Sequence, residues 1–125
     1  MSNNQVSMLS RLEYIKLQHL FSDVHEDEFF VNESSSPLSE FDPLTYKTYC
    51  GDTCLHIAAS RSDFEAVKLL IKGGVDVNAK GDNDYSPLDK ALAQNSGEIV
   101  CYLIEHGGVP NYKGMLRQWI KDAVK

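Results

Sequence analysis

The stretch Gly51-Asp52-Thr53-Cys54-Leu55-His56-Ile57-Ala58-Ala59 decides how this chain folds, because Asp84-Tyr85-Ser86-Pro87-Leu88-Asp89-Lys90-Ala91-Leu92 repeats its pattern later. Leu55 and Leu88 are 33 residues apart, and the same shift pairs Leu70 with Leu103. A period of this length is typical of stacked repeats, in which one supersecondary unit packs on the next. The sequence therefore predicts a solenoid with a continuous binding surface and gives no reason to expect a reaction.

Each repeated unit has the pattern of a pair of helices. Thr53 and Ser86 can cap the first helices through their hydroxyls, and Pro87 suits a first helical position because its missing N–H costs nothing there. Apolar residues then follow at helical spacing: Phe64, Val67, Leu70, Ile71 in one unit and Ile99, Val100, Leu103, Ile104 in the other. Gly74 and Gly107 can end these second helices in the left-handed conformation. We expect a core containing Leu55, Leu70, Leu88 and Leu103.

Two motifs carry a resemblance to a known family. Thr53-Cys54-Leu55-His56-Ile57-Ala58 resembles the T-P-L-H-x-A signature of ankyrin repeats, and Gly74-Val75-Asp76-Val77-Asn78-Ala79 resembles the G-A-D-V-N-A stretch that closes such a repeat. The resemblance covers about residues 48 to 113 and implies an all-α ankyrin-repeat solenoid. It also implies that His56 makes hydrogen bonds between repeats. Asp89 replaces this histidine in the second repeat, where either carboxylate acceptors do the same work or the junction is weaker.

The rest of the chain predicts caps at the two ends of two recognisable repeats. Apolar residues at helical spacing over residues 8 to 24 predict an N-terminal cap helix, whereas Pro37 would break the second helix of an earlier repeat. Met115, Leu116, Trp119, Ile120 and Ala123 predict a C-terminal cap helix. We predict one structural domain: 1–47 as N-terminal helical cap and acidic loop, 48–80 and 81–113 as repeats, and 114–125 as C-terminal cap.

Composition narrows the class of protein. The 125 residues include 18 acidic and 12 basic side chains, a formal net charge of −6, which argues against binding to a phosphate backbone and favours a basic protein partner. No stretch approaches the roughly 18 apolar residues of a membrane span, and the N-terminus lacks a signal pattern. Three cysteines without C-x-x-C spacing favour a reducing compartment. We expect a cytoplasmic protein that is monomeric when free.

The segment from Asp23 to Asp42 is the most polarised in the chain. It holds seven acids and no lysine or arginine, and Ser34-Ser35-Ser36-Pro37 has the composition of a linker. A solvated loop is one interpretation. Phe29, Phe30 and Phe41 favour another, in which aromatic side chains pin the segment to the stack or anchor a partner.

Patterns that carry chemistry are missing. Cys50, Cys54 and His56 do not have a common zinc spacing, no recognised serine or cysteine nucleophile motif occurs, and the paired glycines follow helices, whereas a phosphate cradle precedes one. We therefore predict no catalytic residues, no metal site and no cofactor. A small metal-dependent or cysteine enzyme is the least favoured hypothesis.

Function is then expected on the surface that ankyrin repeats use for partners, the hairpin tips and the exposed side of the first helices. The resemblance and the charge map give these candidates: Tyr49, Cys50, Asp52, Ser60, Arg61, Lys80, Asp82, Asn83, Asp84, Tyr85, Ala93 and Gln94, with Glu26, Asp27 and Glu28 of the acidic segment. The first hypothesis is an acidic binding protein that occludes a basic partner, as the immunity proteins that neutralise toxins do. The second is an ankyrin adaptor that recruits a cellular partner without inhibiting it.

Overall fold

The computed structural model describes residues 9–24 and 41–123 of the chain. Within these residues the fold is helical, and its one β-type contact is an antiparallel bridge between Lys47 and Thr53. The helices are α1 (Arg11–Leu20), α2 (Cys54–Ser60), α3 (Phe64–Lys72), α4 (Pro87–Ala93), α5 (Gly97–Glu105) and α6 (Lys113–Ala123). A short 3₁₀ turn spans Asp82–Asp84. This agrees with the predicted all-α solenoid.

The helix ends follow the predicted capping chemistry. The hydroxyls of Thr53 and Ser86 accept backbone N–H groups at the starts of α2 and α4, and Pro87 is the first residue of α4. Gly74 and Gly107, just beyond α3 and α5, have φ values of +92° and +90°. A side chain is strained in that conformation, so glycine is the residue that ends these helices well.

Two layers of helices build the stack. In the first layer α2 packs on α4 and α4 on α6, and in the second layer α1 packs on α3 and α3 on α5. The four leucines predicted for the core, Leu55, Leu70, Leu88 and Leu103, are fully buried between the layers. Burying a leucine side chain contributes about 1.5–3 kcal/mol, so this row accounts for much of the stability of a small stack.

Both predicted caps are helices that pack on the repeats. Leu17 of α1 is fully buried, and Lys16 and Glu13 on the rim of α1 form ion pairs with Glu65 and Lys72 of α3. At the other end, Met115, Leu116 and Trp119 of α6 are half-buried and pack against the core. Because α6 lies mainly on α4, it covers the first layer of helices more completely than the second.

Candidate functional site

The two hairpins that precede the first helices form tight, hydrogen-bonded turns. In the first, Gly51 N donates to the Thr48 carbonyl at 2.9 Å, and Gly51 has a φ of +98°. In the second, Asp84 N donates to the Gly81 carbonyl at 2.9 Å, and Asp84 has a φ of +62°. We call the tips of these turns and the exposed ends of α2 and α4 the hairpin face. Its backbone is held in place before any partner arrives.

Side chains also tie neighbouring hairpins to each other. Asp52 Oδ1 accepts the N–H of Asp82 at 2.9 Å, across the gap between the two tips. Asn78 donates to the Gly107 carbonyl at 3.0 Å and accepts the N–H of Val109 at 2.8 Å. Asp52 is therefore a structural link between repeats as well as a predicted partner-binding residue.

His56 joins the first repeat to the second, as the family resemblance implies. Its Nδ1 accepts the N–H of Thr53 at 3.0 Å, so the ring proton lies on Nε2, which donates to the Tyr85 carbonyl at 2.8 Å. Gly81 packs so closely that an added Cβ would lie 2.9 Å from Nε2. The ring is fully buried, and this burial lowers the pKa of His56 below its ordinary value. The neutral form is the one that fits the junction.

The contacts of Asp89 show how the second junction is held, for which the sequence left two alternatives, carboxylate acceptors or a weaker contact. Its fully buried carboxylate accepts the N–H of Ser86 at 2.9 Å and that of Tyr112 at 3.2 Å, and its two oxygens share the single N–H of Asn111 at 3.2 and 3.1 Å. Carboxylate acceptors therefore do the work of the histidine. The polarity is reversed, however, because His56 donates to a carbonyl whereas Asp89 accepts from amides that lead into α6. A carboxylate suits a helix start, where N–H groups lack partners.

Most of the predicted partner-binding residues of the repeats lie at the surface. The exposed ones are Tyr49, Cys50, Ser60, Arg61, Lys80, Asp82, Asn83, Asp84, Ala93 and Gln94, and Asp52 and Tyr85 are half-buried. Tyr49 is 94% exposed at the first tip. Glu26, Asp27 and Glu28 lie outside the described residues.

Two of these candidates make contacts that the sequence did not predict. Arg61 pairs with Asp23 at 2.6 Å and lies over the ring of Phe21, so it fastens the N-terminal segment to the end of α2. Asp23, counted among acids without a local basic residue, therefore has a counter-ion 38 positions away. Tyr85 packs on Tyr112, with ring centres 4.7 Å apart, and the Lys90 ammonium lies 4.9 Å from the centre of the Tyr85 ring.

Sequence reasoning missed Tyr112 and Lys90 as members of the hairpin face. Tyr112 donates its hydroxyl to the Asn83 carbonyl at 2.7 Å, which supports the second tip from the side of the C-terminal cap. Tyr112 lies at the end of the second repeat and has an alanine at the matching position of the first, so the 33-residue pattern does not reveal it. Lys80 is exposed two residues before Asp82, and Lys90 lies over the ring of Tyr85, the residue after Asp84, so this part of the surface is mixed in charge.

The described residues contain no metal-binding cluster, and their three cysteines are not paired. They bring together no group of three or more histidine, cysteine or acidic side chains in a metal-binding arrangement. Cys54 is buried, whereas Cys50 and Cys101 are exposed at a hairpin tip and on α5. None of the helices in the described part of the chain has the length and apolar content that crossing a bilayer requires.

Comparison with known proteins identifies the family to which this arrangement of helices belongs. A family model described as "Ankyrin repeats (3 copies)" matches residues 19–113, about three quarters of the chain. The chain belongs to the ankyrin-repeat family. The match begins at residue 19. The motifs of the sequence resemble ankyrin repeats only from about residue 48, so the family model reaches further towards the N-terminus. Ankyrin repeats are protein-protein interaction modules, so this chain is such a module.

The matching segments of the relatives are parts of longer proteins. The E3 ubiquitin-protein ligase KEG of Arabidopsis thaliana is 33% identical over 66 residues, which are 53% of this chain and 4% of the relative. The human ankyrin repeat and SOCS box protein 5 is 38% identical over 60 residues, 48% of this chain and 18% of the relative. An ankyrin repeat protein of Rickettsia felis is 28% identical over 107 residues, 85% and 19% respectively. The chain spans less than a fifth of the length of each of these relatives.

Proposed function

We propose that this module binds a basic protein partner through its hairpin face and that its mechanism is occlusion of the partner's functional surface. The observation that carries the proposal is the display of Tyr49, 94% exposed on a turn that backbone hydrogen bonds hold rigid. Because the turn fixes the backbone of Tyr49 before binding, only its two side-chain torsions lose freedom on binding, and exposed tyrosines of this kind are frequent hot spots. Tyr85 and Tyr112 extend the aromatic surface towards the second repeat.

The basic character of the partner follows from charge. The formal net charge is −6, and Asp82 and Asp84 lie exposed at the second tip, with Glu26, Asp27 and Glu28 contributing from the acidic segment. Lys80 and Lys90 offset part of the field at the tip itself. The acidic segment is therefore the main source of long-range steering in this proposal, whereas the tyrosines provide the short-range contact. Small acidic proteins that neutralise toxins offer a functional parallel for occlusion.

The test is kinetic and uses the natural partner, captured from the native cell, identified and purified. Lysine replacements at Glu26, Asp27 and Glu28 should lower the association rate, and higher salt should lower it for the wild type. Tyr49→Ala should raise the dissociation rate. Leu12→Ala is the matched control, because Leu12 is also largely exposed but lies on α1. The proposal would be refuted if the association rate did not change with salt concentration and Tyr49→Ala kept wild-type kinetics.

A second candidate function is recruitment without inhibition, and the comparisons favour it specifically. Two of the relatives are named as an E3 ubiquitin-protein ligase and a SOCS box protein, and in both the matching part is a small share of a longer chain. In that role the hairpin face would hold a partner for another domain to act on. Activity of the purified partner, measured with and without saturating amounts of this chain, separates the two functions: occlusion abolishes the activity, and recruitment leaves it intact.

A further inference from the structure

Lys90 on the hairpin face has an environment unlike that of the other basic residues. It is half-buried, whereas every other lysine and arginine whose side chain the structure describes is exposed. Its ammonium lies 4.9 Å from the centre of the Tyr85 ring, and that ring packs on Tyr112 with centres 4.7 Å apart. The two tyrosines therefore form a shelf, and contact with the Tyr85 ring holds the Lys90 charge on it.

The Lys90 ammonium has no counter-ion. Within the part of the chain that the structure describes, it takes part in no ion pair and donates no hydrogen bond. Burial is the main cause of the lowered pKa of His56, and the Lys90 charge lowers this pKa further, which places the ammonium close to the junction of the two repeats. A half-buried cation gains more from a carboxylate than an exposed one does, because less water screens the pair.

The acids of the second hairpin tip restrict which partner group can reach this charge. Asp82 and Asp84 are exposed, and neither forms an ion pair with another described residue. They repel a carboxylate at the tip itself and attract basic side chains there, and the exposed Lys80 offsets only part of this effect. A partner segment satisfies both charges of the surface when one acidic side chain meets Lys90 and basic side chains beside it meet the tip.

We propose that Lys90, Tyr85 and Tyr112 form a subsite for one aspartate or glutamate side chain of the partner protein, carried between basic residues. We call these three residues the Lys90 subsite. The carboxylate pairs with the ammonium, and neighbouring atoms of the same partner segment cover the tyrosine rings. The inference rests on the function proposed for the hairpin face and adds a source of specificity, because a uniformly basic partner would place a like charge against the half-buried Lys90.

The probe is a library of random dodecapeptides displayed on phage as N-terminal fusions, which have no free carboxyl terminus. The library is selected on the full chain after removal of the peptides that bind the Lys90→Met variant. Methionine keeps an unbranched stem beside Tyr85 and removes the charge, and an unchanged midpoint of urea unfolding would verify that the fold is preserved. The selected peptides should share an aspartate or glutamate flanked by lysine or arginine.

Synthetic forms of the most enriched peptide then test the pair by calorimetry. Changing its acid to the corresponding amide should weaken binding to the unaltered chain at least tenfold, and Lys90→Met should weaken the acidic peptide as much. The two changes together should cost no more than either alone, because both remove the same contact. Lys90→Arg should bind within threefold of the wild type. Lys68→Met is the matched control and should leave the affinity unchanged, because Lys68 also lies over an aromatic ring, that of Phe64, but on α3.

Two results overturn the Lys90 subsite: selected peptides without a shared acidic position, and losses that add when both partners of the pair are changed. Neither result contradicts the function proposed for the hairpin face, which is tested separately by salt and by Tyr49→Ala with the natural partner. If that test fails while the acidic peptides still depend on Lys90, the subsite is supported and the basic partner is wrong.

Discussion

Replacing Asp89 with histidine is a change for which the structure of this chain and the consensus of its family predict opposite effects on stability. The first repeat carries His56 at the matching position, so a consensus argument predicts that Asp89→His stabilises the fold. The geometry predicts the opposite. Asp89 accepts the N–H groups of Ser86, Asn111 and Tyr112, whereas a neutral imidazole offers one acceptor nitrogen. Two backbone donors would lose their partner.

The expected cost follows from those two donors. A buried donor left without an acceptor costs about 1–3 kcal/mol, and water reaches the partly exposed start of α6 more easily than it reaches Ser86. We therefore expect Asp89→His to lower the free energy of unfolding by about 2–4 kcal/mol, a large share of the roughly 5–15 kcal/mol of a typical small domain. Asp89→Asn keeps the shape and one acceptor oxygen, so its cost should be somewhat smaller. Asp82→Asn, an exposed site, should change stability by less than ~0.5 kcal/mol.

Urea unfolding at pH 7, followed by circular dichroism and by Trp119 fluorescence, measures these differences. Because Asp89 holds the residues that lead into α6, the fluorescence transition of Asp89→His should come at a lower urea concentration than that of the wild type. Equal or greater stability of Asp89→His would show that the three hydrogen bonds contribute nothing net, and the account of the second junction would then be wrong.

Three further outcomes are expected. Leu70→Ala and Leu103→Ala should each cost about 2–5 kcal/mol in urea unfolding, because both side chains are fully buried, and a loss under 1 kcal/mol for both would contradict that burial. Burial lowers the pKa of His56, so the contribution of this residue to stability is complete above the ordinary value of 6.5 and declines as pH falls below that value. His56→Gln should therefore flatten this part of the curve of stability against pH. An unchanged slope would contradict this role of His56. Deleting residues 114–125 should cause aggregation or lower stability, as light scattering and melts would reveal, because it exposes the apolar end of the second repeat.

The sequence predicted the repeated helices well because their signals are local. Thr53 caps α2, Gly107 ends α5, and Leu70 and Leu103 are buried. The 33-residue period indicates each of these features. Periodicity reports burial directly, since every unit repeats the same packing. The link that His56 makes to the next hairpin followed from the family resemblance in the same way.

The contacts that could not be predicted join parts of the chain that share no period. Arg61 meets Asp23, which lies 38 residues earlier in a segment without a repeat pattern. Two of the donors to Asp89, the N–H groups of Asn111 and Tyr112, lie 22 and 23 residues later, just before α6. A carboxylate in place of a histidine shows that the junction differs, but the backbone groups it meets depend on the start of α6. The surface roles of Tyr49 and of the acidic residues Glu26, Asp27 and Glu28 stay predictions.

The two exposed cysteines and the buried one can together report where a partner binds. Cys50 is exposed at the first hairpin tip, Cys101 is exposed on α5, and Cys54 is buried, which raises the pKa of its thiol to about 12. An alkylating reagent should therefore modify Cys50 and Cys101 in the folded protein and reach Cys54 only after unfolding, because the thiolate is the reactive form. A partner on the hairpin face would protect Cys50 alone, and a partner on the exposed side of α5 would protect Cys101 alone. Mass spectrometry of the wild-type chain can thus map an unknown partner without any substitution, with Cys54 as the internal measure of unfolding.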